Sequence, residues 1–328
     1  MNKKVAIIGS GSWGVGLSVV LSDNGYEPYL WSFNEDEAKA INENRECIFL
    51  PGVKLNENIK CLTDFEEVIK DSSFILLVTP SKFFRETLKK CKQYINEDQP
   101  IIVCSKGLED GTLMTLSEVV EDECPNNKVG ILCGPTHAEE VSRNVPTTIV
   151  LCSKHEEVLK LQDVFMSNIF RVYTSTDVKG VEVGSAFKNI IAFACGVSAG
   201  LGYGDNTFAA IITRGLAEIS RIGLEMGGEM KTFYGLSGLG DLIVTCLSQH
   251  SRNRKCGYLM GQGLSLEEAQ KEVGMVVESI NTTYVAKKII AKYDVETPII
   301  NEVYSILFEN KNPKDAVNDL MTRNKKME

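Results

Sequence analysis

The sequence predicts an α/β protein, a Rossmann-type doubly wound parallel sheet followed by a mainly α-helical C-terminal domain. Three observations predict it: short apolar runs alternate with helix-length segments through the first half of the chain, a glycine-rich turn follows the first run, and long helical stretches take over beyond Asp177. Strands separated by helices pair in parallel and are covered on both faces, so they read as continuous apolar runs.

The runs are Val5–Ile8, Pro28–Trp31, Phe74–Val78, Ile101–Cys104, Val129–Leu132 and Thr147–Cys152. Between them, the segments around Val15–Asn24, Glu35–Asn44, Asp64–Lys70, Phe83–Tyr94 and Leu113–Val120 have helical length and spacing. In the second half, helices are expected over Val181–Ala199, Asn206–Glu225, Leu239–Leu247, Ser265–Glu272, Thr282–Tyr293 and Pro298–Glu309. The change of texture places a boundary near Lys179–Gly180: residues 1–179 form a dinucleotide-binding domain and 180–328 a helical substrate domain. No internal repeat or low-complexity tract interrupts either.

Composition narrows the partners. With 44 acidic against 35 basic residues in 328, the formal charge is −9, and a net negative field repels nucleic acid and anionic membranes. The ten cysteines contain no C-x-x-C and no Cys/His cluster, so they read as small apolar thiols in a reducing cytoplasm, with no metal site. The apolar part of the N-terminus is too short for a signal peptide. The weakly polar stretch Ile190–Gly204 is short of the roughly 20 residues that span a bilayer; it reads as a buried helix followed by a glycine-rich turn. A homodimer is expected because the helical half carries more apolar surface than one small domain hides.

Chemistry begins at Gly9-Ser10-Gly11-Ser12-Trp13-Gly14, a G-x-G-x-x-G turn between the strand Val5–Ile8 and a helix. Gly9 allows the tight turn, Gly11 lets backbone approach a pyrophosphate, and Gly14 lets helix pack on strand, while the helix N-terminus offers N–H groups and a positive dipole. A dinucleotide is the expected ligand, and this motif alone leaves a flavin open. Trp13 is either packing or a cover over the ligand. At the end of the second strand, Glu35 lies 21 residues past Gly14. It is either a ribose acceptor or a charge at a helix N-terminus, so the choice between NAD and NADP stays open.

Further polar residues stand in apolar contexts: Ser105-Lys106-Gly107 and Gly134-Pro135-Thr136-His137-Ala138 after strands, and Phe187-Lys188-Asn189 within an apolar helix. Ligands of open α/β sheets bind outside the carboxyl ends of strands, which is where Lys106 and the Gly134–Ala138 turn are placed. Together with Val183-Gly184-Ser185-Ala186, Gly235-Leu236-Ser237-Gly238-Leu239-Gly240-Asp241, Ser251-Arg252-Asn253 and Val276-Val277-Glu278, in that order, the chain closely resembles the NAD(P)-dependent glycerol-3-phosphate dehydrogenases of bacterial type.

That resemblance, which covers nearly the whole chain, implies reversible NAD(P)H-dependent reduction of dihydroxyacetone phosphate to glycerol 3-phosphate, feeding phospholipid synthesis. It implies Lys188 as the proton-transfer group, Lys106 touching cofactor and substrate, and Gly134, Thr136, Asp241, Ser251, Arg252 and Asn253 lining the substrate site. Asp241 is placed to orient the Lys188 ammonium, and Asn189 and Asn253 have amides able to donate to phosphate. The cofactor would meet Ser12, Trp13, Phe33, Asn34, Phe49, Ala138, Arg252, Val276 and Glu278 besides the Gly9–Gly14 turn. Relatives favouring NADP commonly carry a basic residue where Asn34 stands, which argues against strong NADP preference. His137 invites an acid–base role, but the resemblance assigns that role to lysine, leaving His137 structural or peripheral. Two other readings are a dehydrogenase of the same plan acting on a hydroxy or sugar acid, and a non-catalytic sensor of the NADH/NAD ratio.

Overall fold

The computed structural model describes residues 2–325 and Met327. The chain divides into two compact units, Met1–Lys106 with Met114–Glu182, and Gly107–Leu113 with Val183–Glu328. The division falls between Glu182 and Val183, inside the continuous helix Val178–Gly200. No loop separates the units there, so local composition does not mark the division. The chain also enters the second unit directly after Lys106, where Leu108 is fully buried in the helical core, and leaves it after Leu113.

The first unit holds one sheet of eight strands: β1 (Lys4–Ile8), β2 (Glu27–Trp31), β3 (Lys60–Leu62), β4 (Ile75–Leu77), β5 (Ile101–Val103), β6 (Val129–Cys133), β7 (Thr147–Cys152) and β8 (Phe170–Ser175). Their order is β3-β2-β1-β4-β5-β6-β7-β8. In register, Val5 stands beside Pro28 of β2, and Ala6 lies between Tyr29 of β2 and Ile75 of β4. The chain order reverses on either side of β1, so β1 and β4 flank the switch point at which doubly wound sheets bind ligands.

All-parallel pairing needs one correction: β6 and β7 are antiparallel, with Leu132 opposite Leu151, while β7 and β8 are again parallel. The cause is the connection. Between Cys133 and Thr147 the chain makes a turn at Gly134-Pro135 and a single helical turn, Ala138–Val141. That is too little to recross the sheet, so the chain comes back along β6. Strands β3 and β8 also escaped the apolar-run criterion. β8 alternates buried and exposed residues at its start, Phe170 and Val172 inward, Arg171 and Tyr173 outward, as suits a strand at the sheet edge with one covered face.

The second unit is helical, and its centre is the helix Val178–Gly200, whose residues from Val183 to Phe193 are all buried. This is the one described helix long and apolar enough to cross a membrane, but 83% of its apolar window is buried within the protein, which marks a core helix. The helix Arg252–Gly261 has too few apolar residues for a helical pattern to stand out and was not expected from sequence. It packs through glycine: Cβ atoms built at Gly196 and Gly200 would collide with the carbonyls of Arg254 and Tyr258, and ones at Gly257 and Gly261 with those of Phe193 and Val197. Two G-x-x-x-G pairs thus bring the two backbones together and fix Arg252–Gly261 beside the Lys188 segment.

Candidate active site

The first unit presents its loops at the carboxyl ends of the central strands. Gly9 follows β1 with φ +128°, and a Cβ there would lie 3.1 Å from the Val78 carbonyl at the end of β4. Its glycine is demanded by conformation and contact together. A Cβ at Gly14 would collide with the Gly9 carbonyl, so that glycine serves helix–strand packing. Gly11 differs. Its φ of −66° suits any residue, and a Cβ there meets nothing within 4 Å. Neither backbone nor packing requires glycine at position 11, and the open space stands where the helix Ser12–Asp23 begins. Val15 N–H is bonded to the Gly11 carbonyl at 3.0 Å, leaving first-turn N–H groups without intrahelical acceptors, the arrangement that binds a phosphate. The turn therefore fits a dinucleotide pyrophosphate.

Around it, Ser105 Oγ donates its one hydrogen to the Thr79 carbonyl at 2.6 Å and lies 3.2 Å from the Leu77 carbonyl, joining the ends of β4 and β5, and Lys106 Nζ donates to the Gly134 carbonyl at 3.1 Å. Thr136 Oγ1 donates to the same carbonyl. Gly134 has a protein reason of its own, since a Cβ would lie 3.0 Å from the Ile149 Cα of β7. Ala138 packs on the phosphate helix, 3.5 Å from the Cβ position of Gly16. His137 is the N-cap of Ala138–Val141. Trp13 packs against the core of this unit with its Nε1 buried and without an acceptor among the described residues.

At the end of β2, Phe33 is 80% exposed, an aromatic surface beside the turn and available to a flat ring. Asn34 caps the helix Glu35–Lys39, its Oδ1 accepting from Asp36 N (2.8 Å) and Glu37 N (3.3 Å). Glu35 is exposed in the first turn of that helix, the position of a helix-terminal charge. Phe49 is half-buried against the same core.

In the second unit, Lys188 is 4% and Asp241 1% exposed. Lys188 Nζ donates to Asp241 Oδ1 at 2.5 Å and to Thr245 Oγ1 at 2.6 Å, and Thr245 Oγ1 in turn donates to the Asp241 carbonyl at 2.6 Å. The hydroxyl hydrogen is thus committed to backbone, which turns its lone pair toward the ammonium. Asp241 starts the helix Asp241–Leu247 directly after the π-turn Leu236–Gly240. Thr245 was missed by sequence reasoning. Its signal was the i, i+4 spacing from Asp241, which puts both side chains on one helix face.

Asn253 joins three helices: its Nδ2 donates to Asn189 Oδ1 at 2.9 Å and its Oδ1 accepts from Ser279 N at 2.9 Å. Both ends of this amide are used in structure, and Asn189 Nδ2 is the amide donor outside that pair. Ser251 caps the helix Arg252–Gly261, accepting from Arg254 N. Arg252, next to that cap, is exposed and has no ion-pair partner among the described residues. Val276 is exposed and Glu278 opens the helix Glu278–Tyr293. The first unit thus carries a glycine-rich turn at a helix N-terminus, and the second a buried ammonium.

A doubly wound sheet with a phosphate-binding turn, followed by a helical unit holding a buried lysine–carboxylate pair, defines an oxidoreductase of the two-domain dehydrogenase class. Residues 4–159 match the model for the NAD-dependent glycerol-3-phosphate dehydrogenase N-terminus and residues 177–318 that for its C-terminus. The chain belongs to the NAD-dependent glycerol-3-phosphate dehydrogenase family. It is 51% identical over 327 residues to glycerol-3-phosphate dehydrogenase [NAD(P)+] of Agathobacter rectalis, covering 99% of this chain and 97% of the relative. It is 50% identical over 329 residues to the enzyme of that name from Fusobacterium nucleatum, covering 99% and 98%. The crystal structure of glycerol-3-phosphate dehydrogenase from Coxiella burnetii superposes with a TM-score of 0.95 at 36% identity, covering 98% of this chain and 99% of that one.

Proposed function

We propose that the protein catalyses the reversible NAD(P)H-dependent reduction of dihydroxyacetone phosphate to sn-glycerol 3-phosphate, supplying the backbone of glycerophospholipids from the cytoplasm. The observation that carries this reading is the Lys188 ammonium, buried and held by Asp241 and Thr245 at 2.5 and 2.6 Å, in a chain of this family. The nicotinamide cofactor, when bound, supplies or accepts the hydride. Hydride arrival at the ketone carbon builds negative charge on the carbonyl oxygen, and a positioned cation both stabilises that charge and protonates it. Lys188 is the donor, Asp241 and Thr245 hold its Nζ, and Lys106 is a second cation for the anionic ligands. In the oxidation direction neutral Lys188 takes the hydroxyl proton back. Arg252, with its exposed guanidinium fork, is suited to the substrate phosphate.

Cofactor contacts are assigned to the Gly9–Gly14 turn, Phe33, Asn34, Phe49, Lys106, Ala138, Arg252, Val276 and Glu278; substrate contacts to Lys106, Gly134, Thr136, Lys188, Asn189, Asp241, Ser251, Arg252 and Asn253. A homodimer is supported by apolar side chains left in solvent on the helical unit, such as Tyr234 at 61% and Leu247 at 54% exposure. The test is a spectrophotometric assay of NADH or NADPH oxidation with dihydroxyacetone phosphate. Turnover is expected with the phosphorylated ketone, and Arg252→Ala is expected to raise its KM by about tenfold or more, the effect of removing a charge-assisted phosphate contact. Absence of turnover with either cofactor refutes the function, and an unchanged KM removes Arg252 from phosphate binding.

A further inference from the structure

The spacing count that singles out Glu35 passes over a better-placed carboxylate two residues on. Glu37 Oε2 accepts from Ser10 Oγ at 2.9 Å and from Ser32 Oγ at 3.0 Å. Ser10 lies inside the Gly9–Gly14 turn and Ser32 is the first residue past β2; they are 5% and 1% exposed. Gly9 N donates to the Trp31 carbonyl at 3.1 Å, so turn and strand end are joined by backbone as well. The Ser32 hydroxyl is itself fixed, because it accepts from Asn34 N at 3.1 Å, and the Asn34 cap on Glu37 N sets the turn of helix from which the carboxylate reaches back. Each hydroxyl has one hydrogen, and both are spent on Oε2. Oε1 has no protein donor among the described residues and keeps its acceptor capacity.

This carboxylate stands at the junction of the phosphate-binding turn and the end of β2, where doubly wound folds read the adenosine ribose. Glu35, by contrast, is exposed and bonded to neither segment. From Trp31 to Ala38 the chain carries three carboxylates and no cation, so nothing in that segment would receive a 2′-phosphate, which brings about −1.5 to −2 charges. We propose that Glu37 is the residue that reads the 2′-hydroxyl of the cofactor, accepting through Oε1, and that it gives the enzyme a preference for NADH over NADPH. This assignment rests on the dehydrogenase reading given above.

Calorimetric titration of the whole protein with NADH, NADPH, ADP-ribose and 2′-phospho-ADP-ribose tests it by binding alone. The wild type is expected to favour the unphosphorylated member of each pair by about tenfold or more, the size of a like-charge conflict near a surface. Glu37→Gln keeps the shape, removes the charge, and is expected to collapse that ratio, mainly through tighter binding of the 2′-phosphorylated ligands. Glu37→Asp, which keeps the charge, is expected to weaken NADH while still rejecting NADPH, and Glu35→Gln to leave the ratio as it is. Equal wild-type affinities, a Glu37→Gln change of the same factor for both ligands, or a ratio that follows Glu35 would each overturn the proposal. A wild type that binds NADH selectively but turns over no dihydroxyacetone phosphate would refute the activity and leave the ribose assignment standing; one that binds neither cofactor refutes both.

Discussion

The Lys188–Asp241 pair makes the sharpest demand on experiment, because the same two buried side chains hold the fold together and carry the proposed proton transfer. Lys188→Met removes the ammonium and leaves the Asp241 carboxylate at 1% exposure without its 2.5 Å partner. Breaking a buried pair on one side costs about 3–5 kcal/mol, most of it the isolated charge that remains. At about 2–4 °C per kcal/mol for a unit of roughly this size, the melting temperature should fall by about 6–20 °C. Adding Asp241→Asn removes the stranded charge. The double variant Lys188→Met/Asp241→Asn is therefore expected to be more stable than Lys188→Met by about 2 kcal/mol, since residues in contact are not additive.

Activity should not follow. Loss of the proton donor lowers kcat by about 10²-fold or more, and nothing in the second substitution restores a proton, so the double variant should be stable and inactive. Thermal melts and steady-state rates on the wild type, both single variants and the double variant complete the cycle, with rates taken well below the lowest melting temperature. A double variant no more stable than Lys188→Met would mean the two charges are not coupled in the fold. An active Lys188→Met enzyme would remove the lysine from the chemistry.

Two other perturbations isolate single features. Gly11→Ala adds a methyl group that meets nothing within 4 Å at an ordinary φ, so stability should change by no more than about 1 kcal/mol, the scale of an N-cap exchange, while the NADH dissociation constant rises; a large loss of stability with binding intact would refute the phosphate-space reading. Glu218 accepts from the N–H groups of Ile299 (2.8 Å) and Ile300 (3.1 Å) at the start of the helix Pro298–Phe308, and burial pushes its carboxyl up to about 7 despite those two donors. A folded-state value above the unfolded one means the native protein holds the extra proton, so this stability is full below about pH 4.5 and is lost as pH rises through about 7. Denaturant titrations from pH 5 to 8 should show a steeper loss for the wild type than for Glu218→Gln, by up to about 3 kcal/mol, and parallel slopes would refute it.

Legibility in the sequence followed how local each feature is. The glycine-rich turn is six consecutive residues between a strand and a helix, so its geometry is contained in its own segment. The lysine site is not: Lys188 and Asp241 are 53 residues apart, and only likeness to a family linked them before the fold did. Thr245 was hidden because a threonine four residues after an aspartate is unremarkable until a lysine from another helix arrives between them. The reversal at β7 was decided by a connection too short to cross the sheet, a property of the turn and not of the strand's apolar run. Glu35 and Glu37 differ in a further way. Counting residues places a carboxylate along the chain, whereas Ser10 and Ser32 decide which carboxylate is held against the turn, and a hydroxyl partner 27 residues away leaves no trace in spacing.

Glycine shows most clearly where sequence reasoning needs the fold. Gly9, Gly11 and Gly14 belong to one motif and look equivalent on the page, yet each answers to a different cause. Gly9 is required by its φ of +128° and Gly14 by a collision with backbone, so both would be needed in a turn that bound nothing. Position 11 alone has an ordinary backbone and empty surroundings. Glycine there costs conformational entropy relative to alanine and returns nothing to the fold. The proposed cofactor site supplies a compensation, a ligand whose approach a side chain would block. In a chain of charge −9, whose mean field opposes any phosphate, backbone N–H groups laid bare in this way are among the few attractive elements that the proposed site offers a cofactor.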